Sequence, residues 1–362
     1  MTTVALVLAG GTGSRLYPAS RSTRPKQFLS LLGSDTLLER TVNRASFADH
    51  VVVSTRPELE SNVRDLVPDA EVVVEPAGKD TGPALAYATH RVGEAYGDDA
   101  VVVVLPSDHT VDDAERFAAT LERGARVAHE TGRLVAFGVD PTRPETGYGY
   151  IEPGADHDGF ADLDAFHEKP DAETAARYLE SGYLWNAGMF AWRVEAFRAA
   201  ALDSPLAPLV RALDEGRVEE GFAAVEATSV DYAVMERVTD AAVVPLDVRW
   251  DDLGSWDALA RLLPADEDGN VVHAGDGVGA GGTPPHADTG GDSPEEATQE
   301  DGDVLFVDSG DNVVVSDGPH VSLAGVDGLA VVAWDDRVLV VPKADAQRVR
   351  DVVSLLKEQG RF

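Results

Sequence analysis

Residues 4–29 read VALVLAGGTGSRLYPASRSTRPKQFL: an apolar run, then Gly10, Gly11 and Gly13, then Arg15, Arg21, Arg24 and Lys26. Glycines that follow a strand leave backbone N–H groups free to approach phosphate oxygens closely, and the cations after them suit an anionic ligand. The gathering of cations stands out because the chain has 64 acidic against 30 basic residues. Two familiar phosphate loops do not fit. A P-loop needs Lys directly after its last glycine, where this chain has Ser14, and the dinucleotide fingerprint needs a third glycine where it has Leu16.

Lysine is scarce, and three of the five, Lys26, Lys79 and Lys169, fall in loop-like stretches: RPKQF, EPAGKDTGP and FHEKPD. In an Arg-rich chain such lysines mark positions where a compact ammonium is wanted. Asp108, in LPSDH, stands just past the apolar run VVVVLP. That is the carboxyl edge at which open α/β sheets bind ligands. The chain has no Cys, which excludes disulfides, thiolate nucleophiles and Cys-type zinc sites.

A formal net charge of −34 argues against a nucleic-acid surface, which needs a basic footprint. The acid excess is spread along the chain, as in proteins adapted to high salt, where carboxylates hold water. The apolar runs are too short to span a bilayer, and MTT leads directly into a strand-like run without a secretory pattern, so no membrane association and a cytoplasmic location are expected.

The elements that must position these residues alternate from the start. Strands are expected at 4–9, 51–54, 72–75 and 100–105, and helices at 37–45, 82–96 and 114–130. Continuous Val-rich runs separated by helices predict parallel strands buried on both faces, in an α/β doubly wound, Rossmann-like domain. After LVAFGVD the pattern loosens into shorter strands around GYGYIEP, FADLDAFHEKP and WNAGMFAW, read as a substrate-binding half of the same domain, 1–264. Residues 265–303, rich in Gly, Asp, Glu and Pro, are expected to be a linker, largely disordered in its middle. In 304–362 the runs VLFVD, NVVVSD, HVSLAGV, LAVVAW and RVLVVP predict a small all-β, β-helix-like module, capped by a helix over 344–358.

The opening stretch closely resembles the signature of the sugar-nucleotide pyrophosphorylases, in particular the mannose-1-phosphate guanylyltransferases. The resemblance runs from residue 4 to about 263 through EPAGKDTGPALA, LPSDH, ETGYGYIE, FHEKP, WNAGMFAW, SVDYAVME and VRWDDLGSW, in order. The β module and final helix also resemble that family's C-terminal domain.

The resemblance implies a nucleotidyltransferase that joins mannose 1-phosphate and GTP, with Mg²⁺, to give GDP-mannose and pyrophosphate. It implies Arg15 and Lys26 as catalytic cations, with Arg24 assisting. Gly10, Gly11, Gly13, Glu75, Lys79, Thr81 and Ser107 are implied for the nucleotide. Asp108 and Asp252 are implied as metal ligands, and His109 is read as orienting a neighbour. Gly147, Glu168, Lys169 and Asn186 are implied for the sugar phosphate, with Tyr148 and Trp185 as wall or core residues. The family usually carries Asn and Ala where this chain has Asp80 and Gly82. A related enzyme using glucose 1-phosphate with UTP or dTTP is one alternative, and a non-catalytic regulatory subunit another. The β module is a candidate for self-association.

Overall fold

The computed structural model of the chain describes residues 1–11, 13–274 and 304–362. By packing, the chain groups into two units: Met1–Gly11 with Leu38–Asp252, and Thr12–Leu37 with Leu253–Phe362.

The first unit holds β1 (Thr3–Leu8), β2 (His50–Thr55), β3 (Glu71–Val74), β4 (Val101–Pro106), β5 (Thr110–Val111), β6 (Leu134–Val139), β7 (Tyr150–Asp156), β8 (Ala161–His167), β9 (Leu184–Arg193), β10 (Ala241–Pro245) and β11 (Trp250–Asp251). Nine of them form one sheet in the order β3-β2-β1-β4-β9-β6-β10-β8-β7. The expected parallel part is present: β1 runs parallel to β2 and β4, and β2 to β3. Val4, Leu6, Val102 and Val104 have no exposed surface and pack with Leu85, Trp192 and Phe197 in the main core. Such runs need cover on both faces.

The sheet as a whole is mixed. WNAGMFAW, expected as a short strand of a looser half, belongs to a ten-residue strand, β9, inserted antiparallel between β4 and β6. Its apolar content explains the position: Trp185, Ala187, Met189, Phe190, Ala191 and Trp192 are all buried. Running antiparallel, β9 starts at the edge where β4 and β6 end.

The second unit holds β12 (Val271–Ala274), β13 (Val304–Val307), β14 (Val313–Ser316), β15 (Val321–Ala324), β16 (Leu329–Trp334) and β17 (Arg337–Pro342). β12, β14 and β16 pair in parallel, β17 closes that sheet antiparallel, and β13 pairs in parallel with β15. Parallel neighbours that are not consecutive in sequence are the mark of a coiled, β-helix-like module. Asn270 and Asn312 are stacked inside it, Asn312 Nδ2 donating to Asn270 Oδ1 over 3.0 Å. The final helix is divided into a 3₁₀ segment, Lys343–Arg348, and an α-helix, Val349–Glu358.

Two features differ from the sequence expectation. Residues 271–274, placed in the linker, form β12, because Val271 is buried against the module and the strand pairs with β14. The expected disordered middle, 275–303, lies outside the described residues. In addition, much of the opening loop packs with the β module, so the division cuts across the boundary expected at 264. Leu16, Tyr17, Leu29 and Leu31 share a core with Trp256, Val313, Val332 and Val349, and Trp256 Nε1 donates to the Tyr17 carbonyl over 2.9 Å. Among the described residues no helix is long and apolar enough to cross a membrane.

Candidate functional site

In the first unit, Gly10 and Gly11 follow β1, Arg56 follows β2, Glu75 follows β3, and Ser107 and Asp108 follow β4. Parallel pairing therefore aligns these residues along one carboxyl edge. Backbone bonds hold the turns in register: the Ala9 N–H donates to the Ser54 carbonyl, Ser107 to Leu8 and Glu75 to Thr55. A Cβ on Gly10 would stand 3.1 Å from Glu75 Oε1, so a larger residue in this turn would crowd the carboxylate. Glu75 is only 5% exposed. Its Oε2 is buried and meets no hydrogen-bond partner among the described residues. Burial pushes its carboxyl up to about 7, against the opposing pull of Arg56.

The loop that follows Glu75 is tied down. Lys79 Nζ donates to the Val225 carbonyl over 2.7 Å, and Thr81 Oγ1 accepts from the Val230 N–H over 3.0 Å. Asp80 has φ 68° and ψ −178°, a region almost restricted to glycine, while its carboxylate accepts from the Thr81 N–H. Strained backbone of this kind concentrates at ligand loops.

A second cluster forms where β7, β8 and β9 meet. Tyr150 pairs with both His167 and Trp185, which sets Gly149, Glu168 and Asn186 side by side. A Cβ on Gly149 would stand 2.5 Å from Glu168 Oε2 and 3.4 Å from the Asn186 Cβ. Lys169, at φ 46°, forms an ion pair with Glu168. Burial disfavours its charge, but Glu168 prevails and raises its pKa above the usual lysine range. Asn186 is fixed at both ends of its amide: Nδ2 donates to Asp231 Oδ1 over 2.9 Å, and Oδ1 accepts from the Gly188 N–H over 3.0 Å. Burial, followed by the Glu168 charge, pushes the Asp231 carboxyl up to about 6. Gly147 shapes the adjoining turn, its N–H donating to Glu145 Oε1 over 3.1 Å.

Asp108 and Asp252 sit at one end of a short antiparallel ladder in which β5 and β11 pair Thr110 with Asp251. Tyr148 donates to Asp252 Oδ1 over 2.8 Å. Its ring makes edge contacts with Trp185 and Trp250, and Trp250 in turn meets His109. His109 Nδ1 accepts from Trp250 Nε1 over 3.2 Å, and its Nε2 lies 3.8 Å from Asp108 Oδ1. Among the described residues no three His, Asp or Glu side chains gather as a metal cage. Two hard-oxygen carboxylates suit Mg²⁺, which keeps waters and shares substrate phosphates rather than demanding an all-protein cage.

In the second unit, Gly13 has φ 54°, and a Cβ there would stand 2.2 Å from the Lys26 Cβ. This glycine therefore serves the seating of Lys26, which is 4% exposed. Arg15 Nη1 donates to Gln347 Oε1 over 3.2 Å. Arg21 pairs with Asp335 and Asp336, and Arg24 with Asp335 at 3.0 Å while lying over Trp334. Half of the basic residues that single out the loop thus answer carboxylates of the chain itself. Sequence reasoning gave no role to Gly149 or Asp231 and left Tyr148 as a wall residue. Gly149 and Tyr148 lie in ETGYGYIE and Asp231 in SVDYAVME, but only their contacts show what they do.

Comparison with known proteins bears on this geometry. Residues 4–269 match the family described as Nucleotidyl transferase. The chain belongs to that family. Residues 302–356 match the MannoseP isomerase/GMP-like beta-helix domain. The nucleotidyltransferase is 36% identical, over 98% of its length and 74% of the relative's, to the mannose-1-phosphate guanylyltransferase of Escherichia coli (strain K12). It is also 36% identical, over 98% of its length and 73% of the relative's, to the xanthan biosynthesis protein XanB of Xanthomonas campestris. The crystal structure of mannose-1-phosphate geranyltransferase from Thermus thermophilus matches with a TM-score of 0.85 and 34% identity, over 99% of this chain and 100% of that one.

Proposed function

We propose that the enzyme joins mannose 1-phosphate to GTP. A phosphate oxygen of the sugar attacks the α-phosphorus, the bridging P–O bond to the β-phosphate breaks, and pyrophosphate leaves with that bond's electron pair. The observation that carries the choice of base is Glu75. Its buried Oε2, which meets no partner among the described residues, needs a donor. Guanine offers two adjacent donors, N1–H and the 2-amino group, to a carboxylate, whereas the N3–H of uracil or thymine is flanked by carbonyl oxygens that a carboxylate repels. The likeness to the E. coli guanylyltransferase supports the same reading.

In this reading Gly10, Gly11, Gly13 and Ser107 serve the phosphates, while Lys79 and Thr81 shape the base and ribose loop. Glu168 and Asn186 hold sugar hydroxyls, Lys169 meets the sugar phosphate, and Gly147 and Gly149 let the sugar approach the backbone. Arg15 and Lys26 stabilise charge that develops on the phosphates. Asp108 and Asp252 would hold Mg²⁺, which when bound neutralises phosphate charge and polarises the α-phosphorus.

Pyrophosphate release measured across four nucleoside triphosphates and several sugar 1-phosphates tests the proposal. The highest kcat/KM is expected for GTP with mannose 1-phosphate. A preference for UTP or dTTP with glucose 1-phosphate would overturn the base and sugar assignment.

A further inference from the structure

Residues 225–231 are hydrogen-bonded to a loop and to a strand, β9, that the proposed function gives to different substrates. At one end Lys79 Nζ donates to the Val225 carbonyl over 2.7 Å. The Thr228 N–H donates to the Lys79 carbonyl over 3.2 Å, and the Gly82 N–H to the Thr228 carbonyl over 2.9 Å. The Val230 N–H donates to Thr81 Oγ1 over 3.0 Å. At the other end, Asp231 Oδ1 accepts from Asn186 Nδ2 over 2.9 Å.

Val225 and Val230, both buried, root the segment in the main core. Beyond it the chain makes a π-helical turn, Asp231–Met235. Such turns are rare and concentrate at functional sites. The approach to the nucleotide loop is close enough that a Cβ on Gly82 would stand 2.7 Å from the Thr228 carbonyl oxygen.

We propose that residues 228–231 are a coupling strap between the two substrate subsites. A nucleotide seated on loop 79–82 fixes the strap and thereby aims the Asn186 amide, so that each substrate raises the enzyme's affinity for the other. The inference rests on the proposed assignment of loop 79–82 to the nucleotide and of Asn186 to the sugar phosphate. The physical basis is that a loop immobilised by one ligand has already lost the freedom that the second would have to remove. Linkage makes the gain reciprocal. Asp231 is a positioning residue: it acts through Asn186.

The test is calorimetric titration of the full chain with mannose 1-phosphate, alone and with α,β-methylene GTP at saturation for each variant. In the wild-type protein the nucleotide should tighten sugar-phosphate binding by about 10-fold, within the usual range for coupled sites. Asp231→Ala and Thr81→Val should each reduce that factor to about 2 or less, whereas Thr81→Ser, which keeps the acceptor oxygen, should retain it. Hydrogen exchange of wild-type protein gives a check that depends on no variant: amides of residues 225–235 should slow when α,β-methylene GTP alone is added.

Undiminished coupling in both Asp231→Ala and Thr81→Val overturns the strap, as does exchange unaffected by nucleotide. Binding of both ligands to wild-type protein without mutual effect overturns the strap alone. Failure to bind either ligand overturns the proposed function and the strap with it.

Discussion

The Tyr148 hydroxyl donates to Oδ1 of Asp252 over 2.8 Å. Burial, reinforced by the charges of Asp252 and Asp251, holds the phenol far above its ordinary pKa, so it remains a donor at any working pH. The bond fixes one oxygen of a proposed metal ligand. Groups that orient ligands in this way commonly account for about 10- to 100-fold in metal affinity or activity. Tyr148→Phe is therefore expected to raise the Mg²⁺ concentration for half-maximal rate about 10-fold, with nearly normal kcat at saturating Mg²⁺. Rate measured against Mg²⁺ concentration checks this, and an unchanged half-saturation point would remove Tyr148 from the role.

Glu75 predicts a pH dependence of nucleotide use. With its carboxyl at about 7, the side chain is mostly neutral at pH 6 and mostly ionised at pH 8. The ionised form accepts two guanine donors, so KM for GTP should fall as pH rises through 7, and Glu75→Gln should flatten that profile at a higher KM.

The same residue makes a stability prediction with its own sign. The carboxyl is raised from 4.5 to about 7 on folding, so its contribution is fully present below about 4.5 and is lost as pH rises through 7. At about 1.4 kcal/mol per pKa unit, Glu75→Gln should stabilise the ligand-free protein by about 3–4 kcal/mol at pH 8 and by little at pH 4.5. Denaturant unfolding at the two pH values measures the difference. Equal effects at both would mean that folding does not raise the Glu75 carboxyl.

Gly13 and Lys26 should be inseparable. Lys26→Ala removes a proposed stabiliser of phosphate charge and is expected to lower turnover about 10²-fold or more, as is Arg15→Ala. Gly13→Ala leaves both cations in place, but its Cβ would meet the Lys26 Cβ at 2.2 Å on backbone with φ 54°. A comparable loss of turnover is expected, together with a lowered melting temperature. Near-normal kinetics of Gly13→Ala would show that the seat of Lys26 is not what the glycine provides.

Salt should stabilise this protein. Ion pairs such as Arg24–Asp335, with side chains 36% and 43% exposed, contribute about 0–1 kcal/mol each and weaken with screening. Against them stands the mutual repulsion of a net charge of −34. The Debye length shrinks from about 10 Å at 0.1 M to about 3 Å at 1 M, which removes most repulsion between separated carboxylates. Melting temperature and turnover are both expected to rise as KCl goes from near zero to molar levels. A fall in both would refute the high-salt reading and leave the site assignment standing.

The parallel strands of the first unit were legible because runs such as VVVVLP and VALVL are apolar at every position, and such runs have to be covered on both faces. The antiparallel direction of β9 was not, since a continuous apolar run fits either direction. The carboxyl-edge residues Gly10, Glu75, Ser107 and Asp108 were legible as ligand-loop candidates from their motifs. That Glu75 Oε2 meets no partner among the described residues could not be read, because that depends on every neighbour around it.

The amino-acid sequence by itself determined which candidate residues this chain offers for chemistry: cations after a glycine turn, carboxylates past a buried strand, and motifs in a fixed order. It did so because those signals are local, resting on residue type and short spacing. Tertiary structure alone decided that Arg21 and Arg24 answer Asp335 and Asp336, that Gly13 makes room for Lys26, and that Asp231 holds Asn186 while its neighbours hold loop 79–82. Each of these joins residues far apart in the chain or fills a space smaller than a methyl group. Neither long-range partnership nor close packing has a period or a spacing that a linear reading can detect.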